Sequence, residues 1–77
     1  MRINQLEQER QEFKGSLSGY TDYNLVSLME LHNINKPTSQ TAKLVSAFGK
    51  AYAEMVYEEC LEELLERESP LLKEVLV

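Results

Sequence analysis

A chain of 77 residues, 43% hydrophobic and 27% charged, has room for one small domain and is too apolar to stay disordered. Thirteen acids against eight bases give a net charge of -5, opposite in sign to the basic footprint of a phosphate binder, so direct contact with nucleic acid is not expected. No apolar run approaches the roughly 20 residues that span a bilayer, and Met1 to Gln5 lacks the apolar stretch of a signal peptide; a cytoplasmic chain with no membrane partner is expected.

The first segment, residues 1–15, places Ile3, Leu6, Arg10 and Phe13 three and four apart, one narrow face of a helix. Its apolar content is thin, so it reads as a helix that needs a surface to lie on, or as an arm. Gly15-Ser16-Leu17-Ser18-Gly19 then predicts a helix end and a flexible joint. A second helix over residues 21–33 starts from Thr21 or Asp22 as cap and carries Leu25, Val26, Leu28, Met29 and His32 on one stripe. Asn33, Asn35 and Pro37 make the next segment a turn.

From Thr38 or Ser39 as N-cap, the pattern predicts one helix over residues 38–68, about 45 Å long at 1.5 Å per residue, with Gly49 as its only weak point. A glycine there costs about 1 kcal/mol, which such a length tolerates. Pro70 suits the first turn of a short terminal helix over residues 70–77. On this long helix Leu44, Val45, Phe48, Ala51, Tyr52, Met55 and Val56 share one face, whereas Tyr57, Cys60, Leu61, Leu64 and Leu65 lie about 150–200° away. Two apolar faces on one rod call for two partners. The expected architecture is therefore all-α, three to four helices around one long central helix, assembled as a homodimeric bundle through Tyr57, Cys60, Leu61, Leu64 and Leu65.

The charge is uneven. Ala51 to Val77 has eight glutamates against Arg67 and Lys73, a balance of -6, whereas Met1 to Lys50 carries +1. Glu58, Glu59, Glu62, Glu63 and Glu66 fall in one sector, and their i,i+4 like-charge pairs each cost a few tenths of a kcal/mol. Such a run reads either as the solvated face of an amphipathic helix or, because a face that serves only solubility usually mixes its signs, as a ridge that meets a basic surface on a protein partner.

Catalytic parts are missing from the pattern. His32 stands alone at a helix end, where the helix dipole favours it. Cys60 sits among glutamates in an apolar sector, which raises a thiol pKa and makes it a buried structural cysteine. No glycine-rich phosphate loop, nucleophile elbow, zinc spacing or Glu-x-x-His pair occurs, so no enzyme activity, catalytic residue, metal or cofactor is expected. Tyr20, Tyr23, Tyr52 and Tyr57 read as core-edge aromatics.

The segment Leu28 to Ala42 resembles a helix-turn-helix: a short helix, an asparagine at the turn, a following isoleucine and a threonine-bearing second helix. The resemblance departs at Ser39, where that motif usually has an aliphatic residue. It implies, as an alternative function, a DNA-binding transcriptional regulator with Lys36, Gln40 and Lys43 at bases or phosphates. Small size, acidity and lack of catalytic chemistry resemble the broad group of phage-type antirepressors and inhibitors, which is a likeness of kind. The leading expectation is thus a small acidic regulator that acts by protein–protein binding, blocking or mimicking the nucleic-acid surface of a basic DNA-binding partner. A structural subunit of a helical assembly is the remaining alternative.

Overall fold

The computed structural model describes the backbone of residues 3–75 and the side chains of residues 5–73. In chain order these form α1 (Ile3–Ser16), a 3-10 turn (Leu17–Gly19), α2 (Asp22–Leu31), α3 (Ser39–Phe48), α4 (Lys50–Glu66) and the short α5 (Leu72–Val75), with no strand among the described residues. No described helix is long and apolar enough to cross a membrane.

Most helix starts lie where the caps put them. Thr21 opens α2 with a reciprocal capping box: its Oγ1 accepts the Asn24 N–H at 3.1 Å, and the Asn24 Oδ1 accepts the Thr21 N–H at 3.2 Å. Thr38, not Ser39, caps α3 by accepting the Thr41 N–H at 3.2 Å. The α2 stripe is inward as expected, with Leu25, Met29 and His32 buried and Val26 and Leu28 half-buried. Two boundaries differ. α1 runs on through Gly15, and the joint behind it is not loose, because Leu17 plugs the core at 2% exposure. α5 begins at Leu72, after Pro70 has turned the chain; Leu76 and Val77, and the side chains of Ile3 and Val75, lie outside the described residues.

The single rod over residues 38–68 does not form. Gly49 adopts φ 96°, ψ 158°, a conformation that side-chain-bearing residues essentially never take, and it divides the rod into α3 and α4. It serves both helices: its N–H closes α3 on the Val45 carbonyl at 2.8 Å, and its carbonyl accepts the Ala53 N–H at 3.3 Å in the first turn of α4. Once bent, the chain supplies its own partners. α4 packs against α2, α1 and α3, and the core joins Leu17, Leu25 and Met29 to Met55, Val56, Cys60 and Leu64 of α4.

The premise of one continuous rod with two apolar faces therefore does not hold. Cys60 and Leu64, assigned to the dimer interface, are fully buried in their own domain; Tyr57 and Leu61 pack half-buried against the same core, and only Leu65 stands out, at 51% exposure. The first face divides at the bend: Met55 and Val56 are buried in the core, whereas Leu44 and Val45 are half-buried and Phe48 is 57% exposed. The physical reason is that α1, thin in apolar residues, nonetheless lays Leu6 and Phe13 on the core and so covers a side of α4 that the rod argument left open.

Candidate protein interface

α4 sorts its glutamates by helical position. Residues four apart drift by only about 40°, so Glu54, Glu58, Glu62 and Glu66 form one exposed stripe along the helix. Glu59 and Glu63 are one step, about 100°, round from Glu58 and Glu62, and that step turns them toward the rest of the domain.

Both inward acids are held by arginines of the same chain. Glu59 is 3% exposed, and its Oε2 accepts a hydrogen bond from Arg10 Nη1 of α1 at 3.0 Å; the other Arg10 terminal nitrogen lies 3.7 Å from Glu58. Glu63 accepts from Arg67 Nε at 2.8 Å. The Arg67 guanidinium also donates to Asp22 Oδ1 at 2.8 Å and to the carbonyls of Tyr20 and Leu17 at 2.9 Å, tying the end of α4 to the start of α2. Ser69 Oγ donates to the second Asp22 oxygen at 2.8 Å. The Arg67 bond, then the Ser69 bond, hold the Asp22 carboxyl below its ordinary range, and the same ion pairing raises Arg67.

The acidic ridge inferred from the sequence is therefore corrected. Glu58, Glu62 and Glu66 belong to the outward surface; Glu59 and Glu63 are structural, because each meets an arginine, Glu63 at an i,i+4 spacing readable in the sequence and Glu59 across 49 positions. Glu54 was missed, although its place four residues before Glu58 marks it as the next member of the row. Arg10 and Arg67 were missed as clamps; for Arg67 the i,i+4 spacing from Glu63 was a signal, and for Arg10 there was only its place among acids.

A groove of about 530 Å³ runs beside the stripe, between the α2–α3 turn and α4. Tyr57 and Leu61 line it with half-buried apolar surface, Glu54 and Glu58 supply carboxylates, Lys50 a single positive charge at one end of α4, and Asn33 and Asn35 come from the turn. The turn is fixed locally: Asn33 Oδ1 accepts the Asn35 N–H at 3.0 Å, and the Asn33 carbonyl accepts the Lys36 N–H at 3.3 Å. His32, also in the groove wall, donates from Nδ1 to the Leu28 carbonyl at 2.7 Å, as befits a residue that closes a helix.

Other candidate residues lie elsewhere. Burial first, then the neighbouring Glu59 charge, pushes the Cys60 thiol up to about 12, which keeps it protonated and unreactive. Tyr20, Tyr52 and Tyr57 edge the core, whereas Tyr23 is 73% exposed. Lys36, Gln40 and Lys43 are exposed around the start of α3. α2 packs chiefly on α4, and α3 likewise packs chiefly on α4. No group of three or more metal-ligating side chains converges among the described residues.

Comparison of the chain with protein families, with curated proteins and with solved structures found no match.

Proposed function

We propose that this chain is a small non-enzymatic regulator that binds a basic segment of another protein along α4. The observation that carries the reading is the separation of acids on that helix: Glu59 and Glu63 are held by Arg10 and Arg67, while Glu54, Glu58, Glu62 and Glu66 stay exposed in a row in which only Glu58 has a basic neighbour, Arg10 at 3.7 Å. Each of the three i,i+4 steps in the row costs the free protein a few tenths of a kcal/mol, and a row of lysines or arginines on a partner relieves all three. The groove adds a second element of recognition. Long basic side chains carry aliphatic stems, which suit the Tyr57 and Leu61 surface while their charged heads reach Glu54 and Glu58. A partner whose basic surface serves to hold nucleic acid is blocked when α4 occupies it.

Titration of the isotope-labelled protein with a peptide of alternating lysine and leucine tests this. Backbone amide shifts should concentrate at Glu54, Glu58, Glu62 and Glu66 and at Tyr57 and Leu61, and should fade with added salt. Equal shifts at acids all over the surface, with none at Tyr57 or Leu61, overturn the assignment.

A further inference from the structure

A second cavity, of about 400 Å³, opens where α1, the end of α3 and the start of α4 converge, and it shares no residue with the groove beside the stripe. Its lining combines three aromatic rings, Phe13, Phe48 and Tyr52, the thioether of Met55, and two carboxylates, Glu9 and Glu12. Phe48 and Tyr52 stand 5.2 Å apart between centroids at an angle of 35°, a tilted contact between the two rings, and Phe48 is more than half exposed. Glu12 has a partner, the Gln8 side-chain amide at 3.4 Å. Glu9 does not: its Oε2 is shielded from solvent and has no hydrogen-bond partner, and no basic side chain pairs with it among the described residues.

Glu9 as a whole is half-buried: one carboxylate oxygen is shielded and lacks a donor, while the carboxylate places negative charge beside the Tyr52 ring. The rings beside it bear on what fits. Aromatic faces attract cations and offer nothing to an anion, and the negative charge of Glu9 reinforces them. Burial first, with the Glu9 charge second and Tyr20 third, raises the Tyr52 phenol, so the ring stays neutral. A bare metal ion needs several oxygen ligands at short range, and the aromatic and thioether lining does not supply them.

We infer that this cavity is a binding site for a methylated ammonium group, with the methyls against Phe13, Phe48 and Tyr52 and the positive charge held by Glu9. The inference is independent of the α4 stripe and stands or falls alone. Two sources carry this chemistry, a small quaternary amine and a methylated lysine side chain of a protein, and the test separates them.

The isotope-labelled full chain is titrated in parallel with choline, with its neutral isostere 3,3-dimethylbutan-1-ol, with a short dimethyl-lysine peptide and with the same peptide unmodified. The expected result is saturable shifts at Glu9, Phe13, Phe48 and Tyr52 with one or both methylated cations, at millimolar or tighter affinity, and little response to the isostere. Tighter binding of choline identifies the small amine, and tighter binding of the dimethyl-lysine peptide, above its unmodified form, identifies the protein side chain. Phe48→Leu, at an exposed position that leaves the core intact, should weaken binding by about fivefold, and Glu9→Gln should do the same. An isostere that binds as well as choline, absence of saturable shifts up to about 50 mM cation, or unaltered affinity in both variants overturns the proposal.

Discussion

Asp22 shows how one residue links charge to folding. Its folded carboxyl titrates below its ordinary value of 3.8 because Arg67 and Ser69 bond the charged form. The stability this lends is therefore present above about pH 4 and is lost as pH falls through the folded value. Asp22→Asn should lower thermal stability at neutral pH and leave a shallower loss as pH falls below about 4, measured as melting temperature against pH. Cys60 has the opposite sign. Its folded thiol is raised from 9.0 to about 12, so the stability it contributes is complete below pH 9.0 and declines as pH climbs toward 12. Native protein should react with a thiol reagent only as fast as it unfolds, and rapid reaction at neutral pH would contradict the burial. The nature of Cys60 was legible from the sequence, since an apolar sector and flanking glutamates are local facts. The roles of Arg10 and Glu59 were not, because the two lie 49 positions apart and only the packing of α1 on α4 brings them together.

The elements were legible wherever a short-range signal decides them. Thr21 with Asn24, Thr38 with Thr41, and the Asn33–Pro37 turn are each settled within a few residues. The failure came at Gly49, where local reasoning sets about 1 kcal/mol of glycine cost against continuing a helix. What decides the outcome is burial of apolar surface from α1, α2 and α4 together, which a scan along the chain does not sum. Gly49→Ala probes this directly. An added methyl meets no atom within 4 Å, so only the backbone conformation penalises it. The variant should lose about 1–3 kcal/mol in denaturant melts, because alanine resists that φ and ψ. An unchanged midpoint would show that the bend does not depend on glycine.

At the scale of the molecule, one helix serves two purposes. Its Met55, Val56, Cys60 and Leu64 sides build the core, Glu59 and Glu63 fasten it to α1 and to the α2 start through arginines, and its remaining face carries like charges in a row. The net acidity of the second half was plain from composition, but composition does not say which acids are free. That division underlies the proposed binding, and a comparison of two variants matched in charge tests it. The affinity of a fluorescent lysine-rich peptide is read by anisotropy for Glu62→Gln with Glu66→Gln and for Glu7→Gln with Glu30→Gln, all four positions being exposed. Each pair removes the same charge. The stripe pair should weaken binding by about tenfold and the other pair by less than about twofold; equal losses would mean that bulk acidity, and not the row on α4, attracts the peptide.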